Sequence, residues 1–262
     1  MTTLAVILAR AGSKGLPDKC VLPLCGRPVL AYTLIHAQQS KFVDDVVLTT
    51  DSSKAAAIAG AMGIYVVDRP PELATDTAVA QDTARHALQI YEAETGQEAD
   101  VIVVLGGNVP IRADGLIDRC VEHLIRTGCD SVQTVAPVGK YHPDWMYRLV
   151  DSRMLQYRAN KVARRQDLEP IYCLDGAVLV VKRALLLASQ GQPDPTIYLG
   201  QDRRAIVQDE ESVDIDTLAD FYRAEAVIRV RSEAVFADVP SAGSRRPPFT
   251  AAINLSNSHE RR

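Results

Sequence analysis

Apolar and polar positions follow two rhythms along this chain. Leu4–Ala9 is an uninterrupted apolar run, which predicts a short strand buried on both faces. Pro28 to Gln39 has helical periodicity with proline in its first turn, where a missing N–H is harmless. Val46–Thr50 predicts a second strand. Asp51-Ser52-Ser53 then offers N-cap side chains to an Ala-rich helix ending near Met62, and Gly63 stands where a left-handed residue closes it. Ile64–Val67 predicts a third strand. Over residues 78–94, Ala80, Ala84, Ala87, Leu88 and Tyr91 share one helical stripe. Val101–Leu105 is apolar throughout and predicts a fourth strand. Asp114 is the expected cap of a helix that turns Ile117, Cys120, Val121 and Leu124 inward, and Ser131–Val135 predicts a fifth strand. Strand–helix alternation of this kind predicts an α/β domain on a mainly parallel sheet. Ligands of such sheets sit beyond the carboxyl ends of the strands, so the loops after Ala9, Thr50, Val67 and Leu105 are where chemistry is expected.

The rhythm changes after residue 137. Met146–Val150 and Met154–Tyr157 flank Asp151-Ser152-Arg153, which predicts a hairpin. Residues 158–170 are polar and basic and read as an exposed arm. Ala177–Lys182 predicts a strand followed by a short helix to about Ala188, and Gln190–Pro195 a loop. Val213–Asp216 leads into a last helix expected to turn Leu218, Phe221, Tyr222 and Ala226 inward. The Ser-, Pro- and Arg-rich residues 238–262 read as a disordered tail after a domain of residues 1–232.

Composition narrows the function. The 262 residues are 47% apolar and 24% charged, with a net charge of −4. That excludes a disordered or collagen-like chain and gives no general attraction for nucleic acid. No apolar run approaches the roughly 20 residues of a membrane span. Five scattered cysteines without a CxxC pair speak against a zinc site or disulfide scaffold and for a cytoplasmic protein.

Two segments carry candidate chemistry. Arg10-Ala11-Gly12-Ser13-Lys14-Gly15-Leu16-Pro17-Asp18-Lys19 follows the first strand directly. Glycines let backbone N–H groups turn to a ligand, and cations neutralise phosphate oxygens. The loop lacks the GK[ST] ending of a Walker loop and the third glycine of a dinucleotide fingerprint. It reads either as a triphosphate cradle or as a solvated turn. Asp214 and Asp216 alternate in an extended segment, so both carboxylates can face one cation such as Mg²⁺. The alternative is that Asp216 caps the last helix, with Thr217 and Asp220 forming a capping box. Cys20 has no paired base in sequence and reads as a structural thiol.

The first of these segments, with Cys25-Gly26-Arg27-Pro28-Val29-Leu30-Ala31-Tyr32, resembles the opening of the acylneuraminate (CMP-sialic acid) cytidylyltransferases, relatives of the CMP-Kdo synthetases. Arg69-Pro70-Pro71-Glu72-Leu73-Ala74-Thr75-Asp76-Thr77, Leu105 to Arg112, and Val213-Asp214-Ile215-Asp216-Thr217 resemble later motifs of that family. The resemblance implies a Rossmann-like nucleotide-diphospho-sugar transferase fold: a mainly parallel mixed sheet flanked by helices, with residues 140–170 as a small dimerisation arm and a homodimer as the assembly. It implies that Arg10, Ser13, Lys14 and Lys19 bind the CTP phosphates, with Gly12 in the same substrate-binding loop, and that Arg69, Asp76 and Thr77 lie near the nucleoside, although Asp76-Thr77 also reads as the N-cap of the helix that follows. Asn108 and Arg112 fall in its substrate-binding loop. Asp214 and Asp216 would hold Mg²⁺, with Arg10, Lys19 and Asp216 acting in catalysis.

The implied reaction is transfer of CMP from CTP to the anomeric hydroxyl of a 2-keto sugar acid, a sialic-acid-like nonulosonic acid or Kdo, with release of pyrophosphate. Neither membrane nor nucleic acid takes part. The sequence departs from the family at Gly106, which stands where a sugar-contacting Gln is usual, at Cys20 (usually Asn) and at Asp175 (usually Asn). Lys140, His142, Arg164 and Tyr172 fall in the acceptor region. Two other functions stay open at this point: transfer to another acceptor, such as a sugar or polyol phosphate, and nucleotide binding without turnover.

Overall fold

The structure is a computed structural model and describes residues 1–208 and 212–237. Its elements run β1 (Thr3–Leu8), β2 (Pro23–Leu24), β3 (Arg27–Pro28), α1 (Val29–Gln39), β4 (Asp45–Thr50), α2 (Ser53–Ala61), β5 (Tyr65–Asp68), α3 (Ala80–Thr95) and β6 (Val101–Gly106). They continue with α4 (Leu116–Thr127), β7 (Ser131–Pro137), β8 (Tyr147–Val150), β9 (Arg153–Gln156), β10 (Tyr172–Lys182), α5 (Arg183–Ala188), β11 (Arg203–Val207) and α6 (Leu218–Ala237). Seven strands form one sheet in the order β11-β7-β10-β6-β1-β4-β5. β1 pairs in parallel with both β4 and β6, which sets Val6 between Val47 and Val104. Only β10 is antiparallel to its neighbours, lying between β6 and β7.

Successive side chains on β1 serve opposite faces of the sheet. Ala5 and Ile7 pack with Leu30 and Leu34 of α1, Ala55 and Ala59 of α2, and Cys120 and Leu124 of α4. Leu4 and Val6 pack with Ala84, Leu88 and Tyr91 of α3 and Leu186 of α5. Both faces are therefore covered, as the uninterrupted apolar runs predict. Ser52 caps α2 by accepting from the Ala55 N–H, and Gly63 has φ +72° after it. Asp151 and Ser152 take φ of +47° and +66° at the β8–β9 turn, the backbone that a tight two-residue hairpin requires.

Several expectations are corrected. α4 begins at Leu116 with Gly115 as its N-cap in a left-handed conformation, and no side chain, Asp114 included, caps it. α6 turns Phe221, Ala224, Val227 and Ile228 inward, while Leu218, Tyr222 and Ala226 are exposed. Ala80 is exposed at the start of α3. Three elements were not foreseen: the β2–β3 hairpin, β11, and the half of β10 that precedes a register shift between Leu174 and Leu179. The expected tail at 238–262 lies outside the described residues.

A third apolar cluster carries the acidic segment. Val213 and Ile215 are buried with Leu24, Val29, Ile111 and Ala224, while Asp214 and Asp216 face outward. Burying the two apolar side chains is worth ~3–6 kcal/mol together. A one-residue slip would reverse the faces and bury both acids, so the register is firmly set.

Candidate functional site

The carboxyl ends of β1, β5 and β6 open into one solvent-open cleft. The first loop lines it with Arg10, Ser13, Lys19 and Cys20, the segment after β5 with Arg69 and Asp76, and the turn after β6 with Gly106 and Asn108. The loop is pinned to β4 by Asp51, whose Oδ1 accepts from the Ala11 N–H at 2.8 Å.

The loop's cations meet carboxylates. Arg10 Nη2 lies 2.8 Å from Asp76 Oδ1, and Lys14 Nζ lies 2.5 Å from Asp76 Oδ2. The hydrogen bonds from Lys14 and Arg10 hold the Asp76 carboxyl below its ordinary value. Lys19 Nζ lies 2.5 Å from Asp216 Oδ1 across 197 residues of sequence. Ser13 Oγ is buried and has no hydrogen-bond partner among the described residues. Such a hydroxyl costs free energy until a ligand accepts from it. Arg69 is buried and donates from Nη2 to the Thr49 carbonyl oxygen at 2.7 Å, and burial pulls its pKa down to about 10. Burial pushes the Cys20 thiol up to about 11, which makes it a poor nucleophile and supports the structural reading.

Opposite the cations stand the two acids. Asn108 Nδ2 donates to Asp214 Oδ1 and to the Ile215 carbonyl oxygen. Desolvation, then the charge of Asp216, raises the Asp214 pKa. The capping of α6 is settled by other atoms. Thr217 Oγ1 accepts from the Asp220 N–H, and Asp220 Oδ2 accepts from the Thr217 N–H at 2.9 Å, a capping box. Asp216 is not the cap, and its carboxylate is left to face Lys19. Gly15 lets the two halves of the site touch, since a Cβ there would run into the Asp216 carbonyl oxygen.

The donor set suits Mg²⁺. That ion takes oxygen ligands, keeps several waters, and is commonly held by one or two carboxylates plus phosphate. Two carboxylates on one face, with Asp214 raised in pKa by desolvation and then by Asp216, form a pair whose mutual repulsion a cation would relieve. Among the described residues no group of three or more acids, histidines or cysteines could hold a metal by itself.

Not every expected residue reaches the cleft. Arg112 is fully buried beneath it. Its Nε donates to Ala177 O at 2.7 Å, Nη1 to Thr33 Oγ1 at 3.1 Å and Val109 O at 2.5 Å, and Nη2 to Gly106 O at 3.3 Å. The guanidinium is thus spent on the loop that carries Asn108. Thr77 is exposed, with its hydroxyl 3.2 Å from that of Thr75, and α3 starts beyond it with Val79 as its N-cap. Gly12 is exposed with open space around it. Around the arm, His142 is buried and bonds the Glu169 carbonyl oxygen, Lys140 lies over the Tyr141 ring, Arg164 pairs with Asp167, and Tyr172 is exposed. In sequence Asp51 is one member of a capping cluster, which hides its contact with the loop. Its place immediately after a strand end was the available signal.

Comparison with known proteins gives the family and the fold. A family model described as cytidylyltransferase matches residues 4–202. N-acylneuraminate cytidylyltransferase of Streptococcus agalactiae serotype III (strain NEM316) is 34% identical over 225 residues, which cover 84% of this chain and 52% of that protein. The chain thus spans about half the length of that relative. CMP-N,N'-diacetyllegionaminic acid synthase of Legionella pneumophila is 33% identical over 239 residues, covering 90% of this chain and 100% of that protein. In fold, the chain is similar to a CMP:2-keto-3-deoxy-manno-octonic acid synthetase solved in complex with CTP. The TM-score is 0.65 at 17% identity, over 88% of this chain and all of that one.

Proposed function

Since the chain belongs to the cytidylyltransferase family, we propose that it transfers CMP from CTP to the anomeric hydroxyl of a 2-keto sugar acid of the nonulosonic or Kdo type, releasing pyrophosphate. One observation carries this reading. Arg10, Lys14 and Lys19, with the orphaned Ser13 hydroxyl, lie at one rim of the sheet, and Lys19 meets Asp216 of the outward acid pair.

In this reading Arg10, Ser13, Lys14 and Lys19 hold the triphosphate, and Arg69 and Asp76 lie beside the nucleoside. The acceptor oxygen attacks the α-phosphorus, the bond to the bridging β-oxygen breaks, and the hydroxyl proton leaves to solvent. Charge grows on the α-phosphoryl oxygens and on departing pyrophosphate. Lys19 and Arg10 are preorganised to neutralise it. Asp214 and Asp216 would hold Mg²⁺, which when bound supplies further positive charge at the phosphoryl oxygens. Alignment of the two substrates supplies the remainder, and no protein-bound intermediate is needed.

Assembly follows the same line of proposal. All eight residues of β8 and β9 are exposed, Leu149, Val150, Met154 and Leu155 among them. An isolated two-stranded hairpin is marginal in water, so we assign this arm to the interface of a homodimer. The five free cysteines support a cytoplasmic location. Among the described residues no helix is long and apolar enough to cross a membrane.

The deciding experiment incubates the chain with CTP, Mg²⁺ and a panel of keto sugar acids and follows pyrophosphate. Release with one such acid, abolished by Asp216→Ala in a protein that still folds, is the expected result. Release only with a phosphorylated acceptor, or tight CTP binding without release, would refute the assignment.

A further inference from the structure

The segment that carries the acid pair belongs to no strand of the sheet. Lys19 meets the Asp216 carboxylate; what holds the segment's backbone and the Asp214 carboxylate is Asn108, half-buried in the turn after β6. The Asn108 carbonyl oxygen accepts from the Ile215 N–H at 3.0 Å. Its side-chain Nδ2 donates to the Ile215 carbonyl oxygen at 3.2 Å and to Asp214 Oδ1. Both side-chain partners are acceptors, so the amide nitrogen and not the oxygen must face them. One residue thus grips Ile215 on both backbone groups and turns Asp214, whose Oδ2 lies toward Gly176. The carboxamide has room because residue 106 is glycine. A Cβ at Gly106 would stand 3.1 Å from Asn108 Oδ1 and 3.3 Å from Val109 Cγ2, tighter than such contacts normally are. Arg112 fixes the turn from below through the Gly106 and Val109 carbonyl oxygens.

We propose that Asn108 is a positioning residue for the acid pair, holding the 213–216 segment and aiming Asp214, and that Gly106 is the glycine that leaves its carboxamide space. The assignment rests on the cytidylyl-transfer reading for its functional meaning. Asn108 acts through Asp214 and does not itself touch the reacting atoms. Groups that orient a metal-binding carboxylate commonly matter nearly as much as the ligand.

The test compares wild type, Asn108→Ala, Gly106→Ala and the double variant. Amide hydrogen exchange over residues 213–217 is followed without ligand, and Mn²⁺ binding to the CTP complex by electron paramagnetic resonance. Asn108→Ala is expected to speed exchange in that segment and to weaken Mn²⁺ binding by about ten- to a hundred-fold, and Gly106→Ala, whose Cβ crowds the carboxamide, to shift both in the same direction by less. The Mg²⁺ concentration for half-maximal activity rises in step. The double variant falls within about two-fold of Asn108→Ala, because the two changes remove one interaction. Unchanged exchange and Mn²⁺ binding in Asn108→Ala, or a rise in the acceptor KM alone, would overturn the proposal. A wild type that binds no CTP would refute the proposed function by itself. The exchange comparison needs no ligand and would still decide whether Asn108 holds the segment.

Discussion

Replacing Arg112 separates two roles that the sequence could not tell apart. In Arg112→Ala the Ala177 carbonyl oxygen loses its donor at 2.7 Å. Gly106 O and Val109 O lose theirs as well, but the Thr33 hydroxyl lies 3.1 Å from each and can serve one of them. Gly106 O also keeps the Val109 N–H at 3.3 Å, so one buried carbonyl, that of Ala177, is left unsatisfied, at ~1–3 kcal/mol. The space of a long, fully buried side chain is also opened. Relief of the charge's own desolvation offsets part of this. Burial pulls the guanidinium's pKa down, yet every partner is an acceptor, which favours the protonated form. The expected net loss is ~2–4 kcal/mol, or a Tm lower by roughly 10 °C at ~2–4 °C per kcal/mol for a domain of this size. Arg112→Lys keeps the charge but lacks the planar fork, and should lose about half as much. Differential scanning calorimetry measures the change, and calorimetric titration of CTP on the folded fraction should show nucleotide affinity retained. A Tm within ~2 °C of wild type, together with a raised KM for the acceptor, would show that the guanidinium is a ligand contact and that its hydrogen bonds to the floor are incidental.

Other outcomes follow from the same geometry. Lys19→Ala should reduce kcat/KM by ~2–4 kcal/mol of transition-state stabilisation, by analogy with the loss of an oxyanion donor. Steady-state pyrophosphate release measures it, and an unchanged rate would reject the role. Gly15→Ala should lower turnover with little change in Tm, because the new Cβ pushes the cation loop away from Asp216; full activity would show that the close approach is dispensable. Asp130 accepts from Lys182 Nζ and from the Gln201 and Asp202 N–H groups, chiefly Lys182 lowering its pKa to about 2. The folded value lies below the unfolded value of about 3.9. Its contribution is therefore complete above pH ~4 and is lost as the pH falls through about 2. Asp130→Asn should be destabilised by ~1 kcal/mol at neutral pH after solvent screening, and urea midpoints should converge with wild type on acidification. A gap that persists undiminished would contradict the linkage.

The elements legible in the sequence were those whose burial is symmetrical. β1, β4 and β6 are apolar on both faces, so a bare run of hydrophobic residues announces them. β11 was missed because Arg203 and Arg204 open an edge strand that is almost wholly exposed, with no apolar period to read. The α6 stripe was misplaced because the helix offers apolar residues on more than one side, Tyr222 outward as well as Phe221 inward. At the site, alternation in 213–216 was readable because Val213 and Ile215 must be buried. The contact between Lys19 and Asp216 spans 197 residues and could only be expected through a family likeness. The roles of Asn108 and Arg112 depend on which neighbour lies within reach of an amide or a guanidinium, and spacing along a chain does not encode that.

Before any nucleotide arrives, the cations of the first loop already have anionic company: Asp76 for Arg10 and Lys14, Asp216 for Lys19. In the proposed reading an incoming triphosphate swaps one set of oxygens for another and does not fall into a bare positive well. Such substitution tempers affinity, makes its dependence on ionic strength shallower than three cations would suggest, and returns the departing anion's place to a carboxylate waiting beside it.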